Sequence, residues 1–197
     1  PDGGFATITT ALQNAIVNAD GKVTTNAAVT GISSSRTGFL VSSTSKSSRA
    51  HSSYFDRVLC TVPSPIAAKL APFPDWYRKK LTSVSHIWAQ TVIVESAEPI
   101  ISPTYWLNIN DRSFPFLALV SHTSMISPRH YGNRHITYLG NYLPPGHRFL
   151  SLSAKQLVAE FLPFIQKINP SVKASSILSA HVWTVPNAQP LHTLGYP

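Results

Sequence analysis

The second half of the chain carries the feature that most constrains its fold, a run of strand-like segments joined by short turns. Apolar, β-branched and aromatic residues predict strands at 86–95, 104–110, 116–122, 136–142 and 177–185. Turn residues at 110–113 and 132–133 separate neighbouring segments. Short connections favour antiparallel neighbours, because parallel strands need a crossover of a dozen or more residues. The sequence therefore predicts an α+β fold, with a mixed, largely antiparallel sheet and flanking helices.

Helices are expected on either side of this strand run. Apolar residues at helical spacing predict a helix over 5–20, and Gly21 supplies its stop. A capping aspartate begins a second helix over 75–81, and a serine begins a third over 153–168. Pro163 interrupts the third pattern and predicts a kink or an early stop near Leu162, because proline lacks the amide hydrogen that a helix needs.

The first third of the chain combines a predicted hairpin with less regular segments. Strands are expected at 28–34 and 39–43, joined through Gly38, where a positive φ would help the turn. Residues 22–26 predict a further short strand. The stretch 42–53 is serine-rich and basic without periodicity, and predicts a mobile loop.

A mostly apolar segment over 57–62 predicts a buried strand that ends at Pro63. The chain's single cysteine, Cys60, lies within it, and the expected role is that of a small core residue. One cysteine excludes an internal disulfide and a cysteine-based zinc site. A short helix should follow over 63–70, since proline is favoured in a first helical turn.

Short motifs in this first third suggest a family. A P-x-G-G sequence at 1–4 precedes the first helix, and G-x-V-x-x-N-x-x-V-x-x-I follows it at 21–32. D-x-V-L-x-T-x-P then occupies 56–63. This order resembles the middle of FAD-dependent oxidoreductases of the amine oxidase, protoporphyrinogen oxidase and carotenoid desaturase superfamily. The resemblance implies that 1–63 is part of an FAD-binding domain and that 64–197 is a substrate-binding domain.

The resemblance also implies what the chain lacks. Neither the G-x-G-x-x-G that binds the flavin pyrophosphate in this family nor the C-terminal glycine-rich segment occurs in the sequence. We therefore expect an internal fragment of a flavoenzyme that transfers hydride from an amine or a C–C substrate to flavin. Its partners would be that small-molecule substrate and the missing N- and C-terminal segments of its own FAD domain. The fragment alone is expected to be free of FAD and inactive.

Six residues are candidates for a site on the strength of the resemblance. Val29 matches the strand position whose main-chain groups bond the adenine, and Thr61 the crossover near the dinucleotide. Tyr105, Asn108, Tyr138 and Asn141 lie on predicted strands, and the family's exposed sheet face roofs the substrate cavity over the flavin. For Val29, Tyr105 and Tyr138 the alternative is ordinary core packing, and the end of the strand at Pro63 explains a crossover at Thr61 without any ligand.

Charge and residue spacing argue against several other functions. The net charge is +8, but lysines and arginines are scattered apart from one run at 78–80. Nucleic-acid-binding proteins usually concentrate such charge in a recognisable module, and none is present. The histidines do not show metal-ligand spacing, and no Ser/His/Asp pattern predicts a hydrolase. We expect no metal and no nucleic-acid partner.

Two alternatives and two further expectations remain open. A non-catalytic binding module that retains the flavoenzyme fold would share all these motifs, and a basic nucleic-acid-binding domain would show steeply salt-dependent binding.

No apolar stretch reaches the length of a membrane span, and we expect a cytoplasmic protein. Apolar surface around Val23, Val29 and Val58 should be exposed, which predicts homo-oligomers at high concentration.

Overall fold

Two compact units, Pro1–Ser83 and Val84–Pro197, make up the chain. The computed structural model describes residues 4–46 and 49–194, so the first three residues of the P-x-G-G motif lie outside the described part. The predicted α+β class is confirmed, and every strand pair of the described residues is antiparallel.

The first unit pairs a three-stranded sheet with helices. Its helices are α1 (Phe5–Asn18), α2 (Ser64–Leu70) and α3 (Asp75–Ser83), and its strands are β1 (Ala27–Ser34), β2 (Phe39–Ser45) and β3 (Ala50–Phe55). The strand order is β1-β2-β3. Helix α2 packs against β1 and α3, and this is why the two short helices cluster with the first unit. The domain boundary at residue 63 stays a prediction.

Four local predictions for this unit are wrong. The serine-rich stretch is not a loop throughout, because β2 continues to Ser45 and the new strand β3 pairs with it from Phe39↔Phe55 to Thr44↔Ala50. Residues 22–26 and 57–62 form no strand, and Cys60 is exposed rather than buried. A strand needs neighbours for its backbone hydrogen bonds, and no described strand pairs with either segment.

The turn between β1 and β2 requires glycine for a different reason than expected. Gly38 does not adopt a positive φ. A Cβ atom at this position would lie 2.5 Å from the carbonyl oxygen of Phe55, which is far inside van der Waals contact. Glycine therefore allows β3 to approach the turn closely.

The second unit is built on a five-stranded antiparallel sheet. Its strands are β4 (His86–Ser96), β5 (Trp106–Asn108), β6 (Ala118–Ser121), β7 (His135–Leu143) and β8 (Ile177–Pro190), in the order β5-β6-β7-β4-β8. Helix α4 (Ala154–Ile168) packs against one face. This confirms the predicted sheet of at least four antiparallel strands covered by the helix that begins near Ser153.

Helix α4 forms the core together with alternate residues of the central strands. Leu157, Phe161 and Ile165 recur at helical spacing and are fully buried. They join a cluster that includes the buried sheet residues Val92, Val94, Leu119 and Leu139. Complete burial of one large aliphatic side chain stabilises a fold by about 1.5–3 kcal/mol. This core covers one face of the sheet, and α4 leaves the opposite face uncovered.

The predicted early stop of α4 is wrong. The helix continues through Pro163 to Ile168. A proline at this position removes the hydrogen bond to the carbonyl of Ala159, and both residues are exposed. Water can therefore satisfy the carbonyl, and burial of the opposite helix face maintains the helix.

Candidate functional site

A cavity of about 500 Å³ lies on the face of the five-stranded sheet that α4 does not cover. Strands β4 to β7 supply most of its lining: Ala89, Thr91, Trp106, Asn108, Ala118, Val120, Tyr138, Gly140 and Tyr142. No charged side chain occurs among the described residues that line it. A cavity of this size and apolar character is typical of small-molecule sites.

Strand alternation determines which side chains reach the cavity. On β4, Gln90, Val92 and Val94 are buried towards α4, and Ala89 and Thr91 point to the cavity. The cross-strand register continues this pattern, since Thr91 pairs with Gly140 and Val92 with Leu139. Gly140 has no side chain, and a Cβ added there would meet nothing within 4 Å. Glycine therefore leaves open space in the middle of the wall.

A hydrogen bond within the lining orders the first polar group of the cavity wall, the amide of Asn108. The indole Nε1 of Trp106 donates to Oδ1 of Asn108 at 2.7 Å. Residues two apart on a strand share a face, so this bond runs along the cavity wall. It uses one of the two lone pairs of Oδ1 and orients the amide, so that Nδ2 can donate to a ligand.

Tyr138 provides the second polar group of the wall. Burial raises the pKa of its phenol above the ordinary value of 10.0, and the neighbouring phenols Tyr131 and Tyr105 add to the effect. The hydroxyl therefore stays protonated at neutral pH and can donate a hydrogen bond. Together, Asn108 and Tyr138 present two neutral donors in a cavity whose lining is mostly apolar.

The structure brings together three of the four residues suggested for the substrate. Asn108, Tyr138 and Asn141 contribute to the cavity lining, and Tyr105 does not. Asn141 has the same strand parity as the buried Leu139 and Leu143, and its Nδ2 donates to the Pro115 carbonyl at 2.5 Å. Its amide therefore supports a loop. The substrate roles of these residues stay predictions.

Two aromatic residues of the lining were missed. Trp106 and Tyr142 are 55% and 50% exposed, respectively, and form part of the cavity wall. The signal that could have found them is the period of two, which places Trp106 on the face of Asn108 and Tyr142 on the face of Tyr138.

The suggested cofactor residues lie in the first unit. Val29 is 42% exposed on β1, which is an edge strand of the three-stranded sheet. A β-bulge follows it, since the register with β2 shifts between Val29 and Gly31. Thr61 is exposed in the irregular stretch between β3 and α2. An open strand edge suits main-chain recognition of a planar base such as adenine.

The described part of the chain shows neither a metal-binding cluster nor a membrane-spanning helix. Among residues 4–46 and 49–194, no three His, Cys, Asp or Glu side chains lie close enough together to hold a metal ion. No helix of the described part combines the length and the apolar character needed to cross a membrane.

Sequence comparison relates the chain to a family. The family model for flavin containing amine oxidoreductases matches residues 1–194. No curated protein matches the chain significantly.

Solved structures show the same fold at low sequence identity. A putative protoporphyrinogen oxidase from Exiguobacterium sp. 255-15 is 16% identical with a TM-score of 0.66, covering 86% of this chain and 36% of its own. A reduced UDP-galactopyranose mutase is 10% identical with a TM-score of 0.66, covering 92% and 38%. An oxidoreductase from Methanosarcina mazei is 18% identical with a TM-score of 0.65, covering 92% and 42%. The chain thus spans only 36–42% of the length of these structures.

Proposed function

The chain belongs to the family of flavin-containing amine oxidoreductases, and from this premise we propose that it is the substrate-binding part of a longer FAD-dependent oxidoreductase. That enzyme would transfer hydride from an amine or a C–C unit of a small substrate to flavin. Residues 1–63 would belong to its FAD-binding domain and residues 64–197 to its substrate-binding domain.

The observation that carries this proposal is the cavity on the uncovered sheet face. Its wall is mostly apolar and carries no charge, and two neutral donors, Asn108 and Tyr138, belong to the same lining. Such a wall would enclose an apolar substrate, exclude water from the reacting atoms, and orient one polar group of the substrate. We infer that the part of the substrate that lies next to Asn108 and Tyr138 carries no charge.

The first unit would hold the adenine end of FAD. Among the described residues, β1 has a strand neighbour on one side only, which would leave its other edge near Val29 for the adenine, and Thr61 would lie near the dinucleotide. FAD, when bound, would supply the hydride acceptor. The pyrophosphate would be held by a glycine-rich turn that this sequence does not contain.

Exposed apolar surface supports the proposed partners within the longer protein. Helix α1 buries none of its residues, and Phe5, Leu12 and Val17 are 83%, 60% and 53% exposed. A helix with an apolar face normally packs against another element. We propose that the N- and C-terminal segments of the same FAD domain cover these exposed residues of α1.

Anaerobic reduction of the flavin in the longer protein tests this function. We expect a small apolar amine or an oxidisable C–C substrate to bleach the flavin absorbance. Replacing Tyr138 with Phe should slow the reduction, without changing the FAD content, and Tyr77→Phe should leave the rate unchanged. A protein that keeps its flavin but is reduced by no substrate of either class would contradict the proposal and favour the non-catalytic module.

A further inference from the structure

A histidine outside the cavity contacts Tyr138, one of the polar side chains of its lining. His122 follows β6 directly and begins a 3-10 turn, His122–Ser124. Its ring packs edge-on against the ring of Tyr138, with centroids 5.5 Å apart and an interplanar angle of 71°. His122 does not line the cavity. Its ring therefore contacts a cavity residue, Tyr138, from outside the cavity.

A hydrogen bond fixes the orientation of the His122 ring. Nε2 of His122 lies 2.6 Å from the hydroxyl oxygen of Tyr131, and the two rings also meet edge-on at 5.3 Å. Tyr131 is the last residue of a second 3-10 turn, Pro128–Tyr131. The histidine is therefore held between two tyrosine rings, one of which faces the cavity.

The backbone of this segment is anchored to the sheet. The carbonyl of His122 accepts hydrogen bonds from Met125 and Ile126 at 3.0 and 3.1 Å. Thr123 Oγ1 accepts from the amide of Ile136 on β7 at 3.2 Å. Because Tyr138 lies two residues further along the same strand, the histidine and its target ring are fixed to one framework.

We propose that His122 is a positioning residue that, through its hydrogen bond to Tyr131, holds the Tyr138 ring in the cavity wall. The inference rests on the proposed binding role of the cavity. A ring held by an edge contact alone could tilt, and the hydroxyl would then lose its direction. Precise ligand binding requires groups whose rotamers are locked by surrounding contacts.

Four single variants of the 197-residue chain separate this role from simple packing. His122→Leu keeps apolar bulk against Tyr138 but removes the hydrogen bond to Tyr131. His122→Gln retains a side-chain donor, and Tyr131→Phe deletes a single exposed oxygen. His130→Leu is the matched control, because His130 is an exposed histidine of the same segment that does not line the cavity.

Two readouts are measured on each variant. The first is the titration of the Tyr138 phenol, followed by ¹³C NMR of ζ-labelled tyrosine and assigned with Tyr138→Phe. The second is the affinity for Nile red, a neutral apolar dye. The part of the dye signal that Trp106→Ala abolishes is taken as cavity binding.

The expected result is specific to the hydrogen bond. His122→Leu should move the titration of Tyr138 towards the ordinary value of 10.0 and weaken cavity binding about fivefold, which corresponds to about 1 kcal/mol. Tyr131→Phe should weaken dye binding similarly. His122→Gln should lie near the unmodified chain, and His130→Leu should match it.

Unchanged Tyr138 titration and unchanged dye affinity in His122→Leu would overturn the positioning role, as would an equal effect of His130→Leu. If His122→Leu does not fold, Tyr131→Phe decides, because unchanged dye affinity in that variant overturns the proposal. A dye signal that Trp106→Ala leaves intact would instead contradict the cavity as a binding site. The Tyr138 titration would still report on His122 in that case.

Discussion

At the scale of single residues, Trp106 is a large aromatic side chain of the cavity wall. Its indole orients the Asn108 amide, and its ring is 55% exposed and open to a ligand. We predict that Trp106→Ala weakens Nile red binding about tenfold, which corresponds to about 1.4 kcal/mol, because the variant loses the aromatic surface that the dye would cover. Fluorescence titration measures the affinity. Trp183→Ala is the control, since Trp183 is 67% exposed on β8 and does not line the cavity. Equal losses in both variants would contradict the prediction.

A second residue-scale prediction concerns pH and the ion pair between Glu95 and Arg134. Nη1 of Arg134 lies 2.5 Å from Oε2 of Glu95 and holds the pKa of this carboxyl below its ordinary value of 4.5. A lowered pKa in the folded state contributes stability above pH 4.5, and this is lost as the pH falls through the folded-state pKa. We expect Glu95→Gln to lower the free energy of unfolding at pH 6 by about 0.5–1 kcal/mol, as for other exposed ion pairs.

Urea unfolding of Glu95→Gln at pH 6 and at pH 2 checks the sign. The difference from the unmodified chain should be present at pH 6 and should be smaller at pH 2, because protonation of the carboxyl removes its attraction to Arg134. Glu98→Gln serves as the control, because Glu98 forms no ion pair with any other residue in the described part of the chain. A difference of the same size at both pH values would refute the electrostatic origin.

The cavity residues show how far sequence reasoning reaches at this scale. The family resemblance and residue type suggested Tyr105 and Asn141, but the period of two points from Asn108 to Trp106 and from Tyr138 to Tyr142. Alternation could therefore have defined the two faces. It could not have identified the cavity face, because that depends on which side α4 packs, and this is decided by long-range contacts of Leu157, Phe161 and Ile165.

At the scale of secondary-structure elements, α4 tolerates a proline that its sequence pattern does not favour. Replacing Pro163 with Ala would restore the hydrogen bond to Ala159. We predict that the free energy of unfolding rises by about 1–3 kcal/mol, because proline in a helix interior costs about 3 kcal/mol relative to alanine and its stiffening of the unfolded chain offsets part of this. Urea unfolding measures it. Pro170→Ala, beyond the helix end, should give no comparable gain. No stabilisation by Pro163→Ala would show that α4 is not strained there.

The elements that were mispredicted share a physical cause. Strand β3 has a polar, serine-rich sequence, and its pairing with β2 through Phe39↔Phe55 provides the hydrogen bonds that composition does not reveal. Residues 57–62 are apolar, but no described strand pairs with them. The five strands and the helix of the second unit were predictable because each has clear periodicity and short connections. Strand pairing, in contrast, depends on two segments together, so the sequence of one segment alone does not reveal it.

At the scale of the whole molecule, exposed apolar surface in the first unit should promote association. Val23, Val29 and Val58 are 39%, 42% and 37% exposed, and the apolar residues of α1 are also uncovered. We predict dimers or larger species of the isolated chain at millimolar concentration, measured by sedimentation equilibrium. Leu12→Lys should weaken this association, and Gln13→Lys, which adds the same charge on the neighbouring helix position, should weaken it less. A chain that is monomeric throughout would contradict the prediction.

The central claim is that this chain is the substrate-binding part of a flavoenzyme and lacks the parts that hold the flavin pyrophosphate. The most direct measurement is the flavin absorbance of the purified 197-residue chain beside that of the longer protein, at equal molar concentration. We predict that the 197-residue chain is colourless and that the longer protein holds one FAD per molecule. Adenine contacts alone contribute only about 1 kcal/mol for each hydrogen bond, which does not offset the entropy lost on binding. A yellow chain with stoichiometric FAD, or a longer protein without flavin, would contradict the account.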